Sequence, residues 1–193
     1  LYANGAASND DVSKALKSLG LIEGDLTEET AELKKTMIQS FVKKANDAYE
    51  NKDYSVSSKN FENAYRVSTK DTLYLYYAAI TATGVQEFDR ALVLFEELDD
   101  LGYTGIEKEY YAIDKETGEE EIFQNKSIRD LSVKGGTHLK PGERDTESKQ
   151  AEIVKNIALI YTNRGENDKA LAAMEKARQA NPDDLNLLIS HAN

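Results

Sequence analysis

Apolar and small residues recur along this chain in a helical rhythm, and that rhythm itself repeats. Leu33, Met37, Phe41, Ala45 and Ala48 fall about a turn apart, which predicts one amphipathic helix over 28–50. Ala45, Ala48, Tyr54, Ser57 and Phe61 then have counterparts 34 positions later in Ala79, Ala82, Phe88, Ala91 and Phe95. The pattern lapses and returns at Ala158, Ala170 and Ala177. The steps from Ala79 to Ala158 and from Ala91 to Ala170 are both 79 residues, the same period once a 45-residue insert is taken out. Such a period predicts a helical hairpin that stacks on copies of itself, because one hairpin cannot bury both of its faces.

The remaining segments read as follows. Residues 1–8 are small and polar, and Asn9 or Asp10 can cap a short helix over 11–19 that stops at Gly20. Asp25 to Glu28 has capping-box spacing, with Thr27 an equally good cap for the next helix. Residues 1–37 lack the repeat pattern and are expected to form a helical cap. Asn51-Lys52-Asp53, Gly84-Val85-Gln86-Glu87 and Arg164-Gly165-Glu166-Asn167 are expected to turn inside the three hairpins. The insert, 106–150, carries β-prone segments at 107–113 and 120–124, joined by a Gly118-containing turn. An irregular stretch is expected over 127–144, with Gly135-Gly136 and Pro141-Gly142, before a helix capped by Thr146 or Ser148. Leu185, Leu188 and Ala192 restart the pattern over 185–193.

From Ile38 onward the chain resembles the tetratricopeptide repeat proteins, a family with small and aromatic residues at fixed places in a 34-residue unit. The matches are Phe41, Ala45, Tyr54, Ser57, Phe61 and Ala64 in a first repeat (38–71), and Leu75, Ala79, Phe88, Ala91 and Phe95 in a second. Those of a third repeat (151–184) are Val154, Ile157, Ala158, Tyr161, Gly165, Ala170, Ala177 and Pro182. The second repeat takes 72–105. The resemblance implies an all-α solenoid with a right-handed superhelical twist, interrupted here by an insert containing a β-hairpin. Inserts after a Leu-Gly-Tyr helix end, as at Leu101-Gly102-Tyr103, occur in some exported bacterial members.

Charge and composition narrow the partners. A formal net charge of −11 argues against nucleic acid or an anionic membrane as the main partner. No cysteine is present, which excludes disulfides and thiolate chemistry and fits either the cytosol or export to the periplasm or cell envelope. No apolar run approaches the ~18 residues of a membrane span. The start without methionine and the stop within a helical pattern give both ends the look of cut ends.

Candidate chemistry is sparse. His138 and His191 have no sequence-adjacent ligand cluster, and Asp114, Glu116 and Gly118 only echo a calcium loop, with glycine misplaced, so a turn is expected there. No phosphate-binding, hydrolase or kinase motif occurs, so no catalytic residue, cofactor or metal is assigned. In the resembling family one side of the first helices lines a concave groove. The residues on that side are Gln39, Val42, Asn46 and Tyr49, then Leu73, Tyr76 and Ile80, then Glu152, Lys155, Leu159 and Thr162. Of these Asn46, Tyr49, Leu73, Tyr76, Ile80, Lys155 and Leu159 form the expected partner-binding groove, with Tyr76 as an exposed anchor. Co-chaperone members of the family clamp a terminal carboxylate with cations and amides. Here Asn46 alone matches, while Val42, Tyr77, Glu152 and Asn156 stand at the other clamp positions. The reading is a non-catalytic scaffold for a peptide or partner helix, with the insert as a further contact surface. The alternatives are a solenoid that self-associates through an end at Leu185, Leu188 and Ile189, or a hydrolase with an acidic site.

Overall fold

A computed structural model describes residues 26–180 of the chain. The expected helix at 11–19, and Pro182, Leu185, Leu188, Ile189, His191 and Ala192, lie outside the described residues. The described part is mostly helical, with one small three-stranded antiparallel sheet. It forms two compact units, divided after Leu98.

The first unit holds α1 (Leu26–Glu50), α2 (Tyr54–Ser68), α3 (Thr72–Gly84) and nearly all of α4 (Phe88–Asp100). The helix α1 runs unbroken across 37/38, so the start of the repeat register is not a break in the backbone. Its stripe is buried only toward the end: Leu33 and Met37 are exposed, Phe41 and Ala48 half-buried, Ala45 fully buried. Length explains this, because α2 has 15 residues against the 25 of α1 and can cover only part of it. Phe61, Ala64, Leu75, Ala79, Ala82, Ala91 and Phe95 are all buried, while Tyr54 and Phe88 are half-buried, so most residues of the 34-residue pattern in this unit lie in its core.

A polar seam joins α2 to α4. Ser55 donates to Glu87, Arg90 reaches Glu62 (2.6 Å) and Ser58 (2.9 Å), and Arg66 pairs with Glu97. Partners advance together along both helices, so the two run side by side in the same direction. Ser57 and Ser58 differ sharply although adjacent. The Ser58 hydroxyl donates to the Ala78 carbonyl (2.6 Å) and accepts from Arg90, whereas the buried Ser57 hydroxyl has no partner.

The second unit contains β1 (Lys108–Asp114), β2 (Glu120–Phe123), α5 (Lys126–Lys134), β3 (His138–Asp145), α6 (Gln150–Asn163) and α7 (Asn167–Ala180). The hairpin β1–β2 is as expected. The stretch read as irregular, 127–144, instead forms α5 and β3. Asn125 caps α5 by accepting from the Ile128 N–H (3.0 Å), and β3 pairs antiparallel with β1 to give the order β2-β1-β3. Pro141 and Gly142 are tolerated because β3 is an edge strand. Gly142 is also required there: a Cβ would stand 2.2 Å from the Tyr111 ring. Arg129, almost fully buried, bolts α5 to the sheet by donating to the Gly142 carbonyl (2.7 Å) and lying over the Tyr110 ring. The two ends of the insert are pinned together, Glu107 and Thr146 exchanging two hydrogen bonds and the Lys149 N–H donating to the Thr104 carbonyl. Neither Thr146 nor Ser148 is the cap of α6: Lys149 stands there without a side-chain cap, Ser148 one residue earlier accepts from the Gln150 N–H (3.2 Å), and Val154 packs with Ala151 and Met174 between α6 and α7.

The three helical turns share one backbone geometry. Lys52, Gln86 and Gly165 all take left-handed φ values, of 62°, 61° and 72°. In each, that residue's N–H reaches back to Tyr49, Thr83 or Thr162, and the next N–H to Ala48, Ala82 or Tyr161. These positions keep the spacing of the sequence pattern, with the insert taken out between the second and third.

Candidate functional site

The side of α1 flanking its buried stripe presents Gln39, Val42, Asn46 and Tyr49, spaced three and four apart as one side of a helix requires. Beside it α3 contributes its own aromatic residues. Between them lies a hollow of about 270 Å³ lined by Asn46, Tyr49, Phe61, Tyr77, Ile80 and Thr81. A second hollow, about 390 Å³, is lined by Ile38, Gln39, Val42, Lys43, Asn46, Asp47 and Tyr74. Asn46 belongs to both, so they form one furrow along α1.

The floor is aromatic and packed. Phe61, on α2, stacks on Tyr74 (6.5 Å between ring centres) and tilts against Tyr77 (5.3 Å). Tyr49 meets Tyr54 edge-on at 5.2 Å. Burial, reinforced by the Asp71 carboxylate, pushes the Tyr74 phenol up. The Thr81 hydroxyl is tied to the Tyr77 carbonyl. Apolar surface with hydroxyl and amide groups at its edges suits capture of an apolar side chain next to a peptide backbone.

Of the groove residues expected from sequence, the structure brings Asn46, Tyr49 and Ile80 together. It buries Tyr76, only 6% exposed, so Tyr76 is not the exposed anchor expected of it. The reason is that most of α3 is enclosed: Leu75, Tyr76, Ala78, Ala79, Thr81 and Ala82 are buried, and the tyrosines left half-buried beside the hollows are Tyr74 and Tyr77. Leu73 is half-buried and does not line either hollow. Lys155 and Leu159 are exposed on α6 in the other unit. Tyr77, Phe61 and Thr81 were missed, and the signal lay in the sequence: Tyr77 and Thr81 stand a turn apart on the helix that carries Ile80.

A second constellation was also missed. His138 had no ligands beside it in sequence, yet its Nε2 lies 2.8 Å from Glu121 Oε2 and 3.6 Å from Asp114 Oδ2. Strand register does this, since His138 pairs with Asp114, and Glu121 faces Ala112 two residues along the same strand. The Asp114–Gly118 segment is the expected turn. Asp114 Oδ1 accepts from the N–H groups of Thr117 and Glu116, which hold its carboxyl below the usual aspartate range.

No protein-family model matches this sequence, and no curated protein matches it. No described helix is long and apolar enough to cross a membrane.

Proposed function

We propose that the protein is a non-catalytic binding scaffold of the tetratricopeptide type, whose furrow along α1 holds a short peptide or one helix of a partner protein. The hollow lined by Asn46, Tyr49, Phe61, Tyr77, Ile80 and Thr81 carries the proposal. It offers apolar area for an anchor side chain, and Asn46 offers an amide for the ligand's backbone. The repeat reading draws support from the three matching turns and from the burial of most of the described pattern residues. The pinned ends of 106–150 support its reading as an insertion, available as a further contact surface.

A photoreactive amino acid at Gln39 would trap the occupant of the furrow in cells that produce the protein. Tyr49, 52% exposed, can be cut back without opening the core. Tyr49→Ala combined with Asn46→Ala should lower capture of the trapped partner ~10-fold or more at an unchanged melting temperature. Equal capture by the double variant refutes the furrow as the site.

A further inference from the structure

We propose that Asp114, Glu121 and His138 form a binding site for a first-row divalent metal ion of the Zn²⁺ type, one ligand coming from each strand of the sheet. Their ligand atoms all lie within 4.8 Å of one another. His138 is 8% exposed and packed edge-on against Phe123 at 5.0 Å, so its ring is held in place.

Hydrogen bonding around the cluster sets which atoms face inward. The Ser132 carbonyl can only accept, so the Thr137 hydroxyl that contacts it at 3.0 Å places its proton there. The Thr137 oxygen is then the acceptor for His138 Nδ1–H, 2.8 Å away. Nε2 is the ring atom left facing the two carboxylates, 2.8 Å from Glu121 Oε2 and 3.6 Å from Asp114 Oδ2. Asp114 is oriented in a comparable way, with Oδ1 occupied by turn N–H groups and Oδ2 turned toward His138. Three potential metal-ligating atoms therefore converge, and a divalent cation would take the place of the ring proton that otherwise bridges Nε2 and the Glu121 carboxylate. An orienting partner on the remote nitrogen or oxygen of each ligand is the usual support of a metal site.

The donor set selects the ion. One imidazole and two carboxylates suit Zn²⁺ better than Ca²⁺ or Mg²⁺, which take oxygen ligands throughout. Zinc bonds of ~2.0–2.2 Å need the 2.8 Å gap to widen slightly, and Glu121, with 55% of its side chain exposed, is free to move outward. Solvent reaches the site from that side to fill the remaining coordination positions. Bound there, the ion would clip β1, β2 and β3 together and make the insert's stability depend on metal supply.

Calorimetric titration of the metal-stripped full chain with Zn²⁺ tests this. One ion should bind per chain and raise the melting temperature, while Ca²⁺ and Mg²⁺ should do neither. Glu121→Gln, at an exposed position, should keep the metal-free melting temperature and lose ~10–100-fold in Zn²⁺ affinity. His138→Ala should abolish binding, Thr137→Val should weaken it ~10-fold by freeing the ring, and His191→Ala should leave it unchanged. Absence of a Zn²⁺ effect on the unaltered chain would overturn the proposal, the gap then being filled by a second ring proton. Undiminished affinity in Glu121→Gln would also overturn it.

Discussion

The helical hairpins and the sheet of the insert solve the same problem by opposite means. In 26–98 the core is apolar and small-residue packing, Ala45, Phe61, Leu75, Ala79 and Phe95, repeated at a fixed period. In the sheet it is thinner: Ala112 and Phe123 are the buried apolar residues, and a buried arginine and histidine share the work. There Arg129 holds the helix down through a carbonyl and a ring, and Arg144 spans Glu109 and Glu120 above Tyr111. Small modules short of apolar area lean on directed polar contacts, which are sensitive to geometry in a way that area is not.

This contrast orders the expected effects of mutation. Phe61→Ala should cost the helical unit about 3–5 kcal/mol, read as a fall in the denaturant midpoint, since the ring stacks under Tyr74 and Tyr77. Gly142→Ala, a single methyl, should cost the sheet about 1–3 kcal/mol and speed amide exchange at Tyr111 and Ile113, because the added carbon collides with a ring. A larger loss from Phe61 than from one methyl on β3 is the pattern expected; the reverse would break the comparison.

The adjacent serines sharpen it within the helical unit. Ser58→Ala should cost about 1–3 kcal/mol by stranding polar partners, whereas Ser57→Ala should gain about 1 kcal/mol by removing a buried hydroxyl that bonds to nothing. Alanine already stands at the matching Ala91 and Ala170. Shifts of opposite sign in thermal unfolding, the loss being the larger, check both.

The smallest effect is acid sensitivity. Hydrogen bonds from Arg66 hold the Glu97 carboxyl below its ordinary value, and the Ser55 hydroxyl does the same for Glu87. In the insert Lys126 and Arg129 do so for Asp130. A carboxyl with a lower value folded than unfolded contributes stability above its unfolded value, near pH 4, and loses it as pH falls through the folded value. Denaturant midpoints should therefore drop from about pH 5 to about pH 3, and Glu97→Gln should flatten part of that slope.

Legibility in the sequence followed the same divide. The hairpin turns and the buried alanines could be read because their causes are local and recur. Strand β3 could not: Pro141, Gly142 and four charged residues hide it, and only pairing with β1 makes it a strand. Helix α5 hid for a different reason. Its nine residues are fewer than the window over which a helical rhythm can be read, and its apolar Ile128 and Leu131 end up exposed while Arg129 is buried. Tyr76 was misplaced because a helical wheel assigns sides but not how many sides are covered. The cluster around His138 joins residues 17 apart through strand register, which no spacing rule reaches.

The pinned ends of the insert have one more implication. Glu107 and Thr146 are 39 residues apart in the chain yet bonded to each other. A segment that leaves and re-enters at one point behaves as a cassette. Changes of length or sequence between two such bonded ends need move little of the backbone on either side of them.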